Sequence, residues 1–494
     1  MRQCILSGLL VFTMVVFAVL GACRTEAPLA GRSSAGIAGD AEAGRRYLLY
    51  GDYIGAGIPL KLWKQLAAAS PVQTGPGSSA STSATDAAGS AVPPASSGAA
   101  RIPSAAVHAL NRPGVDPSVP DDLNQYFTPS GVEVVSGVNC LGCHASRFRG
   151  ELVIGMGNSL RDWAPTRRSY VGIRVLGAME YPEGSEARRT LGEFLRGAEV
   201  LDGRVSTPVR GVNPAFRLEE VAAAHRNPED LTWSVEPVYA YGEEGAWSDV
   251  PPWWTLRKKK SLYYNGMGHG DFTRLVQQIG VVMIHDADDA RRTLPKMQDV
   301  MAYIATLRPP RFPGAIDAGR RTRGESVFEA KCAECHGTYG ERETYPNRVI
   351  PIEQVGTDGT YARRVRGSGL DDWFNSSWFA GAGAAYSRAE LGYVAPPLDG
   401  VWCTAPYFHN GSVPTLEGVL NSRVRPGRWQ RSFRDDDYDV DSPGWRYVVP
   451  ADGAGPSREV YDTTIPGCGN GGHTYGDDLD EGDRRAVIEY LKTL

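Results

Sequence analysis

Two five-residue runs, Cys140-Leu141-Gly142-Cys143-His144 and Cys332-Ala333-Glu334-Cys335-His336, carry the strongest chemistry in this 494-residue sequence. In a C-x-x-C-H unit the two thiols add across the vinyl groups of a haem, and the His that follows is carried to the iron as its proximal ligand. A zinc knuckle or a redox dithiol uses C-x-x-C without needing a His beside the second Cys. Two complete copies in a chain with only eight Cys and eight His therefore read as two covalently bound haem c groups. Cys140, Cys143, Cys332 and Cys335 attach them, and His144 and His336 hold the irons.

The occupant of the second axial site decides whether such an iron passes electrons or binds a substrate. An internal repeat supplies candidates. Pro251-Pro252 precedes Tyr263-Tyr264-Asn265-Gly266 at the spacing by which Pro396-Pro397 precedes Phe408-His409-Asn410-Gly411. His409 thus stands where the first half has Tyr264, and no Met follows Met301. His409 is either the distal ligand of the second haem or a hydrogen-bonding His near its edge. For the first iron, Tyr264, Met267, His269 and Met156 could each approach, and an open or weakly held site is the alternative, which would make that haem the reactive one. Trp253-Trp254 precede Arg257-Lys258-Lys259-Lys260; the tryptophans read as core or as a relay between haems, and the basic run as a solvated face that meets haem propionates. The acidic run Asp435 to Asp441 could hold calcium, but it lacks the Gly and terminal Glu of an EF-hand loop.

The elements that must position these groups also repeat. Val300 to Leu307 and Val487 to Leu494 each show helical apolar spacing and close their halves. The expected fold is mainly α with long loops, as 58 Gly and 34 Pro imply, in two tandem cytochrome c-like haem domains. Residues 45–310 would form the first, with a Ser/Ala/Gly/Pro-rich disordered insertion over 70–106, and residues 311–494 the second.

The N-terminus has a short basic start, an apolar run from Ile5 to Leu20 and Leu20-Gly21-Ala22-Cys23, which looks like the lipobox of bacterial lipoproteins. Residues 1–22 would be a signal peptide, Cys23 the lipidated anchor and 23–44 a tether; ordinary cleavage or an uncleaved anchor are the alternatives. The protein is expected to be exported, facing the periplasm or the cell exterior. Cys403 and Cys468 are then left as a disulfide pair or as two buried thiols. A net charge of −5 carries no basic excess and argues against a nucleic-acid partner.

From about Val135 to Leu494 the chain resembles the di-haem bacterial cytochrome c peroxidases and their relatives, nearest the haem-containing rubber oxygenases. The run Ala405-Pro406-Tyr407-Phe408-His409-Asn410-Gly411-Ser412-Val413-Pro414-Thr415-Leu416 carries most of this resemblance. It implies that His409 ligates the C-terminal haem and that the N-terminal haem is open to dioxygen. True peroxidases have an acidic residue and a Gln in the helix after the aromatic-x-Gly motif. Here the stretch reads Asp271-Phe272-Thr273-Arg274-Leu275-Val276-Gln277-Gln278, so acid/base work would fall on Asp271 or His269, with Tyr264 beside them. The expectation is a haem-dependent oxidoreductase that acts on peroxide or dioxygen, with a redox partner outside the cytoplasm and a small-molecule or hydrophobic substrate. A lipid-anchored electron carrier without a substrate is the alternative.

Overall fold

Asp40 and Asp317 each start a helix in the same way, with a side-chain carboxylate accepting from backbone N–H groups of the first turn. The helix Ala41–Tyr50 buries Gly44, Leu48 and Leu49, and Ala318–Lys331 buries Gly324 and Phe328. Each packs on a later helix: Ala41–Tyr50 on Ala287–Thr306, and Ala318–Lys331 on Glu481–Leu491. The crossings are alike in atomic detail. A Cβ on Gly44 would lie 1.9 Å from the Asp299 carbonyl oxygen, and one on Gly324 would lie 1.9 Å from that of Ala486. Both pairs therefore meet backbone to backbone at a glycine, closer than any side chain permits.

The computed structural model describes residues 39–69, 109–165, 169–451 and 455–494. All of them fall in one compact unit, Ser33–Leu494, whereas the other unit, Met1–Arg32, lies wholly outside the described residues. The expected signal peptide, Cys23 and the insertion 70–106 lie outside them too. Among the described residues no helix is long and apolar enough to cross a membrane.

The architecture is mixed helix and sheet, which corrects the mainly α expectation. Among the described residues there is a three-stranded antiparallel sheet of Gly57–Pro59, Glu133–Val138 and Leu123–Phe127, with Glu133–Val138 central, and five two-stranded ladders. These strands have two to six residues each, too short for an alternating pattern to stand out among Gly- and Pro-rich loops.

The main core also crosses the expected boundary at residue 311. Leu48, Met297 and Ile304 share one apolar cluster with Ile352, Trp373, Phe379 and Tyr393. A second cluster, built on Phe328, Trp402, Val413, Val487 and Tyr490, takes Phe148, Met156 and Trp254 from the first half. Burying apolar surface across this line fixes the two halves against each other.

The bridge considered for Cys403 and Cys468 is not formed. Both are buried free thiols, the first in the cluster with Trp402 and the second in the one with Trp429 and Tyr461. Cys403 donates to the Gly400 carbonyl at 3.1 Å. Burial pushes the Cys468 thiol up to about 12.

Candidate haem sites

Each C-x-x-C-H run folds as a single helical turn, Leu141–His144 and Ala333–His336. The His144 amide donates to the Cys140 carbonyl at 2.9 Å and the His336 amide to that of Cys332 at 3.0 Å. One turn puts both thiols on one side and carries the imidazole just past them. Burial raises the Cys140 thiol to about 12 and the Cys143 and Cys332 thiols to about 11. A redox dithiol needs the opposite shift. Among the described residues no group of three or more His, Cys, Asp and Glu side chains is arranged to hold a metal ion, which also sets these cysteines apart from a zinc knuckle.

The repeated Pro-Pro segments supply the backbone behind each His. His336 Nδ1 donates to the Pro396 carbonyl at 2.9 Å, which leaves Nε2 as the free, electron-donating nitrogen. The equivalent Pro251 carbonyl acts on His144, whose Nδ1 is buried with no partner inside hydrogen-bond distance. Burial pushes His144 down to about 3, so it stays neutral, as a metal ligand must. Trp253 stacks on it at 4.7 Å between ring centres.

The repeat is also exact in backbone terms beyond the Pro-Pro pair. Leu262 pairs with Gly268, and Tyr407 with Val413. Tyr263 and Phe408 both take positive φ, 66° and 70°, and Gly266 and Gly411 follow at 69° and 70°. Between them Asn265 and Asn410 are fully buried.

The ring set opposite His336 is His473. Their centres are 6.3 Å apart with planes at 63°. An iron held between two imidazoles needs ring centres on the order of 6 Å apart, from two metal–nitrogen bonds plus the two ring radii. Burial, with His336 nearby, pushes His473 down to about 4, and its Nδ1 has no partner. Arg425 holds this loop by donating to the carbonyls of Asn470 at 2.8 Å, Gly472 at 2.7 Å and His473 at 3.1 Å. His473 itself takes φ of 45°, directly after Gly472 at 69°.

His409, expected as the ligand of the C-terminal haem, has a different set of neighbours, and its Nε2 is buried without a partner. Its ring stacks on Tyr393 at 3.9 Å and meets the edges of Tyr264 and Tyr361 at 6.3 and 6.4 Å. At 6% exposure, one face of the ring is filled by the Tyr393 phenol. The aligned pair Tyr264 and His409 thus meet each other at the seam between the halves.

The three residues expected to share acid/base work have separate surroundings. Tyr264 donates to Asp249 Oδ2 at 3.1 Å. His269, on the strand Gly268–Gly270, stacks on Tyr386 at 4.8 Å, and burial lowers its pKa. Asp271 caps the helix Phe272–Gln277 by accepting from the Thr273 amide at 2.9 Å, a structural role. Two carboxyls that the sequence did not single out lie beside the paired tyrosines: Asp249, pushed up to about 8 by burial, and Glu219, pushed up to about 7 and accepting from Tyr263 at 3.1 Å. Met156 and Met267 are both core residues.

Of the basic run, Arg257 and Lys258 pair with Asp399 at 2.9 and 2.8 Å. Lys259 is half-buried near His144, and burial lowers it to about 8. The Lys259 ammonium near His144 fits a haem propionate, and the neutral His144 and His336 rings, with His473 at 6.3 Å from the latter, fit haem iron. In the acidic run considered for calcium, Asp436 pairs with Arg434, Asp437 and Asp439 with Arg446, and Asp435 accepts from the Gly150 amide at 2.9 Å.

Residues 392–430 match the family described as RoxA-like, cytochrome c-like. Two proteins of Sinorhizobium fredii (strain NBRC 101917 / NGR234) are similar. The uncharacterized protein y4iJ is 31% identical over 254 residues, covering 38% of this chain and 41% of that protein. The uncharacterized protein y4iM is 26% identical over 289 residues, covering 50% and 64%. The chain thus spans less than two thirds of either relative. A solved structure of Kuenenia stuttgartiensis hydrazine synthase aligns with 60% of this chain and 92% of its own at 13% identity, with a TM-score of 0.21. The matched segment contains Pro396, whose carbonyl orients His336, and so the cytochrome c-like likeness and the haem-site geometry converge on a haem-containing redox protein.

Proposed function

We propose that the chain is an exported di-haem c-type oxidoreductase, lipid-anchored through Cys23. Haem c is held at Cys140, Cys143 and His144 and again at Cys332, Cys335 and His336. His473, in place of His409, closes the second iron. An iron between two imidazoles has no open position and serves electron transfer, whereas an iron with one protein ligand can take up peroxide or dioxygen. The observation that carries the reading is the 6.3 Å spacing of His336 and His473.

The chain's own groups then divide the work. Pro396 orients His336 and Arg425 positions His473, so that both present neutral nitrogens across one gap. Lys259 supplies a positive charge near His144. Bound haem would supply the one-electron chemistry, and the protein sets its ligands and the access of small molecules.

Electron paramagnetic resonance of the purified protein with wild-type, His473→Ala and His409→Ala chains tests this. His473→Ala should convert one low-spin iron to high-spin with unchanged haem content, and His409→Ala should leave both signals in place. The reverse result would return the ligand role to His409. Two low-spin irons that ignore cyanide and carbon monoxide would leave the carrier function alone.

A further inference from the structure

A separate cavity of about 610 Å³ opens on the surface between the helix Ala41–Tyr50, the strand Leu123–Phe127 and the helix Ala287–Thr306. Its volume falls in the range of small-molecule sites. The walls are aromatic: Tyr47, Tyr50, Tyr126 and Phe127, the last 64% exposed. An exposed phenylalanine among three tyrosines offers flat faces to a flat ligand.

The charges in the lining balance, with Asp52 and Glu133 against Arg292 and Lys296. They are also tied to one another. Tyr47 donates to Asp52 at 2.7 Å, Arg292 pairs with the same carboxylate, and the Lys296 ammonium lies 5.1 Å from the Tyr47 ring centre. A lining without net charge favours an uncharged ligand whose hydroxyls can both donate to carboxylates and accept from cations.

What lies behind the wall separates this cavity from a simple surface hollow. The Tyr47 ring meets that of Tyr53 edge-on at 5.6 Å. Tyr53 is 5% exposed, donates from its hydroxyl to the Leu48 carbonyl at 3.0 Å, and belongs to the apolar cluster against which Cys140, the proposed attachment point of the first haem, packs. Two phenol rings in contact thus join the cavity wall to the surroundings of Cys140.

We propose that this cavity binds an uncharged phenol or hydroquinone, and that Tyr47 and Tyr53 carry its electron to the first haem. The relay rests on the haem reading above; the binding site does not. The ligand's O–H bond breaks, its proton goes to water at the cavity mouth, one electron reduces ferric iron to ferrous, and a phenoxyl radical departs. Tyr47 and Tyr53 are positioning residues in this scheme, since neither is chemically changed at the end.

The test uses the holoprotein with two probes. Fluorine NMR with 4-fluorophenol should show saturable binding, weakened at least tenfold by Phe127→Ser and by Tyr50→Ala. Anaerobic stopped-flow reduction of the first haem by hydroquinone should saturate with concentration. Tyr53→Phe should keep 4-fluorophenol binding and slow this reduction about tenfold, while reduction by dithionite, which needs no cavity, stays unchanged. Absent fluorine binding, binding indifferent to both wall substitutions, or preferential binding of a neutral oligosaccharide such as cellotetraose would overturn the phenol site. Unchanged hydroquinone rates in Tyr53→Phe would overturn the relay. A preparation without a haem c spectrum would overturn the haem reading and the relay together, while the fluorine signal still decides on the site.

Discussion

His409 and His473, both pushed down in pKa by burial, to about 3 and about 4, have different neighbours in the fold. His409 faces a phenol at stacking distance; His473 faces His336 at 6.3 Å between ring centres. His473 keeps that position because Arg425 donates to three carbonyls of its loop, those of Asn470, Gly472 and His473. Arg425→Met leaves several partly buried carbonyls unpaired, at about 1–3 kcal/mol for each group that water does not reach. The expected outcome is a lower melting temperature and a partial high-spin signal at the second haem, checked by calorimetry and electron paramagnetic resonance on one sample. A second prediction concerns Asp249 and Glu219, pushed up to about 8 and 7 by burial. Their folded pKa values lie above the ordinary carboxylate value of about 4, so the folded state binds protons more tightly than the unfolded one. The stability they add is fully present below pH of about 4, declines as pH rises, and is gone above about 8. The melting temperature of the wild type should fall across that window, and Asp249→Asn should flatten the fall. An unchanged slope would show that Asp249 does not titrate there.

At the scale of elements, the matched glycine crossings explain why each half closes on its final helix. Gly324→Val would drive side-chain atoms into the Ala486 backbone, and the helices would have to separate. Overpacking of this kind costs about 1–3 kcal/mol, so the substitution should lower the midpoint of denaturant unfolding without changing residues near the iron. Gly44→Val should do the same against Asp299. The closing helices were legible in the sequence, because their apolar residues recur at helical spacing over eight positions. The strands were not, as three residues such as Val349–Pro351 carry no readable alternation, and their pairing with Gly392–Val394 depends on chain distant in sequence.

For the whole molecule, the described residues pack as one unit although motifs repeat in two halves. Trp254 donates to the Asp399 carbonyl at 2.8 Å, and Phe148 packs on Trp402 and Tyr438, so each half contributes to the other's interior. The thiols Cys403 and Cys468 sit in different parts of this interior. Both should react with an alkylating agent in unfolded, unreduced protein; protection that reductant relieves would show a bridge after all. Cys23→Ser should move the protein from the membrane fraction to the soluble one with haem content unchanged, as the anchor and the haem sites use different cysteines. An unchanged membrane fraction would end the lipoprotein reading.

The sequence by itself determined the attachment chemistry and the repeat. C-x-x-C-H is a local pattern whose geometry a single helical turn completes, and Tyr263 to Gly266 and Phe408 to Gly411 impose the same backbone wherever they occur. Only the tertiary structure decided which ring lies opposite His336. His473 has no repeat partner and no motif around it beyond Gly471-Gly472, and His409 had the better sequence signal. Which imidazole lies opposite His336 depends on how a C-terminal loop, pinned by Arg425, folds back over a distant helical turn. That is a matter of packing between residues far apart in the chain, which spacing along the sequence does not encode.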